Sequence, residues 1–224
     1  MSSSFNSAYV GCRPDIQALM PERFCRVLDL GCSDGSLGRS IKENHPGAEI
    51  VGIEIDELMA AVAECRLDRV LCADLESFTP TKYFSAGYFD VIILADVLEH
   101  LREPWTLLAQ LKNILHEQGR LIVSVPNVRF YETIFQLVVR GDWPFRPRGI
   151  HDRTHLRFFT RKSLLAMLDE CGYEKLELEK NFRIFEQPRR LNRLGKLFRW
   201  FPGNDLFVYQ YLAVCRKKRG RDAG

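Results

Sequence analysis

An α/β fold on an open, mostly parallel sheet is predicted by three features of the sequence. Short apolar runs alternate with helix-like stretches, two glycines four apart follow the first run, and later runs end in acidic residues. The first run, Val27-Leu28-Asp29-Leu30, is apolar enough for a strand covered on both faces and leads into Gly31-Cys32-Ser33-Asp34-Gly35-Ser36-Leu37-Gly38. Leu37 and Ile41, separated by polar residues, predict a helix after it. Such a junction lets backbone approach a ligand at the carboxyl end of the strand, where open α/β sheets bind nucleotides. The dinucleotide fingerprint G-x-G-x-x-G fits poorly, because Gly31, Gly35 and Gly38 are spaced differently and Ser33 stands at the second close-approach position. Serine takes this turn if its φ is negative. Asp29 would repel a pyrophosphate and attract an ammonium group, so a ligand cationic at this end is expected.

The 224 residues, 46% hydrophobic and 27% charged, suit one large domain. A net charge of +3 does not demand a nucleic-acid partner. No apolar stretch approaches the roughly 18 residues of a membrane span, and the first residues lack the pattern of a signal peptide, so a cytoplasmic protein is expected. The seven cysteines include no C-x-x-C pair and no Cys/His grouping at zinc spacing, and are expected reduced, with Cys25, Cys72 and Cys215 as small core residues.

In chain order, Pro14 or Asp15 opens an apolar helix that ends near Met20 and Pro21. Residues 49–55 alternate into a second strand ending in Glu54 and Asp56. Glu54 falls about 23 residues after Gly31, the offset of the acid that accepts from ribose hydroxyls in nucleotide folds. An amphipathic helix over 58–67 and a short strand over 70–72 lead to Asp74 and Leu75. Residues 89–96 are too apolar for an edge and predict a central fourth strand. A helix over 104–116 stops at Gly119, and 120–127 is the fifth strand.

The alternation then breaks. Residues 128–160 hold Trp143, Pro144, Pro147 and several arginines, the composition of a lid or binding loop. His151 and His155 flank Asp152 at a metal-ligand spacing, but Pro147 and Gly149 argue for loop and no third ligand is near, so no metal is expected. Thr160 caps a helix to Cys171, and 173–179 and 205–215 are the sixth and seventh strands. Between them, in an insertion over 182–204, apolar residues of 188–202 recur at helical spacing among arginines. Packing on the domain, a homodimer contact and a membrane-surface contact stay open there.

Asp29-Leu30-Gly31-Cys32-x-x-Gly35 resembles the first motif of the class I S-adenosylmethionine-dependent methyltransferases. Asp96-Val97-Leu98-Glu99-His100 resembles the Leu-Glu-His segment of many small-molecule members, including ubiquinone-biosynthesis O-methyltransferases. Asp152-x-Thr154-His155-x-Arg157-x-Phe159-Thr160 resembles the lid signature of a subgroup encoded among polysaccharide and secondary-metabolite genes. The resemblance spans most of the chain. It implies one domain over 1–224 with a Rossmann-like seven-stranded, mostly parallel sheet, helices on both faces, an acceptor lid over 128–160, and the last strand antiparallel between the fifth and sixth.

The cofactor implied is S-adenosylmethionine, leaving S-adenosylhomocysteine. The resemblance puts its methionyl part against Asp29, Gly31, Cys32, Ser33 and Gly35, its ribose near Glu54 and Ile55, its adenine near Asp74 and Leu75, and its sulfonium near Ala95 and Asp96. It makes His100, His151, Asp152 and His155 acid/base candidates, and Tyr9, Arg13, Asn127, Arg148 and Arg157 acceptor-binding ones, the last two arginines for an anionic acceptor. Plainer readings stand beside these: Tyr9 and Arg13 as a helix lead-in, His155 and Arg157 as pins holding the lid. The implied reaction methylates a hydroxyl of a glycosyl or other natural-product acceptor; N-methylation of a small amine and a non-catalytic cofactor-holding partner are the alternatives. RNA is not expected as substrate, because an Asn/Asp-Pro-Pro-Tyr segment is missing.

Overall fold

In the computed structural model of the protein, which describes residues 11–187, 190–200 and 202–218, seven strands form one sheet in the order β3-β2-β1-β4-β5-β7-β6. The elements in chain order are α1 (Pro14–Gln17), β1 (Arg26–Leu30), α2 (Ser36–Asn44), β2 (Glu49–Glu54), α3 (Glu57–Glu64), β3 (Arg69–Cys72), β4 (Phe89–Ala95), α4 (Pro104–Ile114) and β5 (Leu115–Pro126). After them come α5 (Tyr131–Ile134), α6 (Arg161–Glu170), β6 (Tyr173–Phe182) and β7 (Val208–Lys217). The first five strands pair in parallel, and β7 lies antiparallel between β5 and β6. The expected sheet is therefore present, with its reversed last strand.

Strand alternation divides the core into two layers. Leu28 and Leu30 of β1 pack with Ile92, Leu94, Leu121 and Val123 on one face. Val27 packs with Val91, Ile93 and Ile122 on the other, beneath Leu37 and Ile41 of α2. Each such side chain contributes about 1.5–3 kcal/mol when fully buried, which is why a sheet covered on both faces reads as nearly unbroken apolar runs. Asp29 falls on the second face, in register with Gly52 and Ile93.

Several boundaries differ from the sequence reading. The first helix is one turn, Pro14–Gln17, followed by tighter turns in which Leu19 N donates to Ile16 O and Met20 N to Gln17 O. β5 starts at Leu115, which pairs with Phe89 across a register shift. Residues Asn204–Phe207 form a tight turn, so β7 begins at Val208, and Arg190–Trp200 is a run of 3₁₀ turns. Cys25 and Cys72 are exposed, not core; Cys32, Cys171 and Cys215 are the buried cysteines, and all seven are free. Thr160 does cap α6, its hydroxyl accepting from Ser163 N while the Ser163 hydroxyl accepts from Thr160 N. Among the described residues no helix is long and apolar enough to cross a membrane.

Gly52 leaves room beside the strand end that bears Asp29. A Cβ there would stand 2.6 Å from Cys32 Sγ and 2.7 Å from Leu67 Cδ1. Gly52→Val is therefore expected to destabilise the fold by about 1–3 kcal/mol through overpacking, read as a lowered urea midpoint with unchanged slope.

Candidate functional site

The strand ends and the irregular segment after β5 enclose one cavity of about 1610 Å³. Its first wall is the turn after β1. Gly31 N and Cys32 N both donate to Ile53 O, at 2.8 and 3.0 Å, fastening the turn to β2. Gly31 has φ 68°, and a Cβ on it would lie 2.8 Å from Val97 Cγ2, so this position takes glycine for both conformation and space. Ser33 takes the turn at φ 51°, outside the condition of a negative φ. What holds it there is Glu54, whose Oε2 accepts from Ser33 N at 2.8 Å while Oε1 accepts from Ile55 N and Asp56 N at 2.9 and 3.0 Å. Oε2, with one bond, keeps acceptor capacity, whereas both lone pairs of Oε1 are engaged.

Asp29 is 1% exposed, and its Oδ2 has no hydrogen-bond partner. Burial first and the charge of Glu54 second push its carboxyl up to about 7, against the opposing pull of Arg13. Arg13 donates to Asp96 Oδ2 at 2.7 Å and brackets Asp15 with two bonds of 3.0 Å. Asp96, at φ 56°, also accepts from the Ser124 hydroxyl at 3.1 Å and from the Gln210 amide. The buried cavity end thus carries acids at the tips of β1, β2 and β4, with Arg13 as the cation among them. An orphaned buried carboxylate oxygen and a cradle that admits only glycine fit a ligand bearing an ammonium or sulfonium charge.

A second wall is built where the irregular segment meets the loop after β4. Glu99 O accepts from Leu156 N and Arg157 N at 2.7 and 3.0 Å, which docks the segment on that loop. The Thr154 hydroxyl donates to Asp152 Oδ1 at 2.7 Å and sits 3.0 Å from His100 Nδ1. A carboxylate only accepts, so the Thr154 oxygen receives its bond from His100 Nδ1–H. His155 Nδ1 is 3.2 Å from Ile150 O, which likewise fixes the proton on Nδ1 and leaves Nε2 as a base. The two rings stand edge to face, 4.7 Å apart. Desolvation lowers both imidazole pKa values, and for His155 the neighbouring His100 lowers it further, so both are neutral near pH 7. Glu99 is buried, and burial and then Asp96 hold its carboxyl well above the usual range. A Glu99 oxygen and one nitrogen each of His100 and His155 lie within 4.8 Å of one another, a donor set of the types that hold a divalent cation.

With this geometry in view, three comparisons bear on identity. A family model described as a methyltransferase domain matches residues 8–178. The chain belongs to the methyltransferase domain family. A curated ubiquinone biosynthesis O-methyltransferase of Cereibacter sphaeroides is 28% identical over 167 residues, covering 73% of this chain and 66% of that relative, just under two thirds of its length. Among solved structures, a SAM-dependent methyltransferase from Archaeoglobus fulgidus superposes with a TM-score of 0.64 at 17% identity, covering 91% of this chain and 92% of that one. A Thermotoga maritima structure, described as a SAM-dependent methyltransferase and possible histamine N-methyltransferase, gives 0.64 at 18% identity, covering 95% and 89%. At such identities the likeness to solved structures is one of fold.

Within this methyltransferase domain, Asp29, Gly31, Cys32, Ser33, Glu54, Ile55, Asp74, Leu75, Ala95 and Asp96 all line the cavity, as do Arg13, His100, Arg148 and His155. Gly35 lies behind the wall, where φ 78° and contact with Ala63 set the start of α2. Four other residues do not line it. His151 is fully buried with its ring edge-on to Trp143 at 4.8 Å and its Nδ1 3.4 Å from Glu186 Oε2. Asp152 acts behind Thr154. Asn127 donates to Asp205 O and Val208 O, both at 2.8 Å, tying β5 to the turn before β7. Arg157 donates to Arg102 O and pairs with Glu103 at 3.5 Å, pinning the segment as its plainer reading had it. Tyr9 lies outside the described residues.

Sequence reading missed Gln210 and Arg183, which line the cavity from β7 and the loop after β6, Ser124 of β5, whose hydroxyl donates to Asp96, and Asp34, whose Oδ1 accepts from Ser36 N at 3.0 Å and which pairs with Arg66. Only Asp34 carried a local signal, an acid two residues before a helix start.

The raised pKa of Asp29 has a signed consequence. Between about 4 and about 7 the folded protein holds a proton that the unfolded chain has released, so stability falls as pH rises through this window and levels off above it. Asp29→Asn is expected to flatten that slope in urea titrations across the range, without abolishing folding.

Proposed function

We propose that this methyltransferase domain transfers the methyl group of S-adenosylmethionine to a hydroxyl of a small-molecule acceptor. The observation that carries the reading is the pair of imidazoles, His100 and His155, 4.7 Å apart and lining the same cavity as the acid-bearing strand ends. When bound, the cofactor supplies an electrophilic methyl on a cationic sulfur. Asp29 and the Gly31 turn would hold its ammonium end, Glu54 its ribose hydroxyls and Asp74 its adenine amine. Holding both reactants in line is worth about 7–11 kcal/mol of the barrier in such chemistry.

A hydroxyl acceptor must lose its proton as the new O–C bond forms. His155 Nε2, already unprotonated because Nδ1–H is spent on Ile150 O, is the base that receives it, and His100 is its neighbour. The relative from Cereibacter sphaeroides, an O-methyltransferase by name, supports oxygen as the acceptor atom. Arg148 and Arg183 suit an acceptor that is itself anionic. Arg146 is matched by Glu186 and Arg13 by Asp96, whereas the described residues give Arg148 no carboxylate and set Arg183 over the Tyr209 ring at 4.0 Å. Residues 128–160 act in this reading as the acceptor lid of a single domain.

Two measurements test it. Calorimetry should show S-adenosylhomocysteine binding that Asp29→Ala weakens by about 10–100-fold, the loss of a charge-assisted contact. With a panel of catechols and hydroxybenzoates, His155→Gln should lower kcat by about 10²–10⁴-fold while leaving S-adenosylhomocysteine affinity unchanged. Turnover of amines that survives His155→Gln would instead assign N-methylation, and cofactor binding with no transfer to any acceptor would assign a holding role.

A further inference from the structure

Two segments outside the cavity share one ledge. From one side α5 and the π-helical turn Phe135–Val139 meet residues 184–186: the Tyr131 hydroxyl donates to Ile184 O and Glu186 N donates to Glu132 Oε2 at 3.3 Å. From the other side the turns Arg190–Trp200 meet the same strip, with Asn192 exchanging bonds of 2.8 and 3.0 Å with Phe185 and Gly195 lying flat against the Phe182 backbone. Both segments turn large apolar side chains to solvent. Phe135, Leu137, Val138 and Val139 are exposed on the first, Val138 at 73%. Leu191, Leu197 and Trp200 are exposed on the second, Leu197 at 73% and Trp200 at 89%. Single exposed apolar residues are ordinary, but several in each of two short segments fastened to one strip mark a contact surface.

The charge of that surface decides what it contacts. Arg140, Arg190, Arg193, Lys196 and Arg199 are exposed there, and none of them is in an ion pair among the described residues. No aspartate or glutamate occurs over 133–141 or 187–204. A second copy packed by two-fold symmetry would set these cations against one another. A nucleic acid would satisfy the cations and leave the leucines and Trp200 in water. An anionic bilayer satisfies both, since headgroups take the guanidinium and ammonium groups while apolar side chains enter the acyl boundary.

We propose that this face seats on an anionic lipid bilayer, with residues 135–139 and 190–200 at the headgroup–acyl boundary. Arg183, Glu186 and Gln187 line the cavity from the same strip, so its mouth stands beside the membrane. The seat is interfacial and reversible, made of short segments that lie in the plane of the bilayer.

The test is co-sedimentation of the full chain with vesicles of phosphatidylglycerol mixed with phosphatidylcholine, against vesicles of phosphatidylcholine alone. Binding is expected to the mixed vesicles, to weaken with salt, and to fall by about tenfold or more in Leu197→Asp/Trp200→Ser and in Arg193→Glu/Lys196→Glu. Because all four side chains are exposed, thermal melts of these variants should match the parent. Emission of Trp200 should shift to the blue with mixed vesicles, and Trp200→Phe should remove that shift. Equal sedimentation of parent and variants, or none with phosphatidylglycerol present, overturns the proposal. So does a concentration-dependent dimer that Leu197→Asp dissociates, or salt-sensitive binding to duplex RNA in place of vesicles.

Discussion

The Asp96 carboxylate joins parts of the chain that sequence holds far apart. It draws Arg13 from the lead-in before β1, the Ser124 hydroxyl from β5 and the Gln210 amide from β7 onto the end of β4. Its backbone lies in the left-handed region, a conformation costing a non-glycine residue about 1–2 kcal/mol, which the charge-assisted bond from Arg13 and two further side-chain bonds offset. Such convergence depends on sheet topology. Parallel strands all end on one side, so a single carboxylate at the central strand can reach its neighbours, and the antiparallel β7 begins where β5 ends.

That topology explains what could be read from the sequence. A strand buried on both faces announces itself by an apolar run, and Val27–Leu30 and residues 89–96 did so. Acids that interrupt or end such runs at Asp29, Glu54 and Asp96 are costly in a core, so their positions marked the tips of the strands where a ligand belongs. The Gly31 turn was legible because glycine alone fits a positive φ packed under Val97. The conformation of Ser33 could not be read locally, because it is imposed by Glu54, some twenty residues away, through one bond to its backbone amide.

What stayed hidden depends on partners remote in sequence. The segment from 128 to 160 follows no period, so the spacing of His151 and His155 said nothing about which ring meets the cavity. The turn at Gly149 settles it: its φ of 86° and the Glu186 carboxylate against it, which accepts from Ile150 N at 2.8 Å, fold His151 inward and leave His155 at the wall. Glu186, Arg183 and Gln210 come from the last third of the chain, where no motif pointed at the site. Arg157 looked like an anion-binding residue by type and proved to cap the Arg102 carbonyl, a role that charge alone cannot distinguish.

The cavity then has an electrostatic logic of its own. Asp29 at the tip of β1 and Glu99 beside His100 and His155 sit in so little water that both are pushed toward the protonated form, and Arg13 is already engaged by Asp15 and Asp96. Such a site is short of positive charge. An anionic occupant would deepen that shortage, whereas a cationic one would favour the ionised form of Asp29. At the imidazoles the same low dielectric works in the other direction, keeping His100 and His155 neutral and therefore able to accept a proton. Acids waiting for a cation and imidazoles waiting for a proton, across one enclosed volume, are the two conditions that a reaction between a cationic donor and a protic acceptor requires.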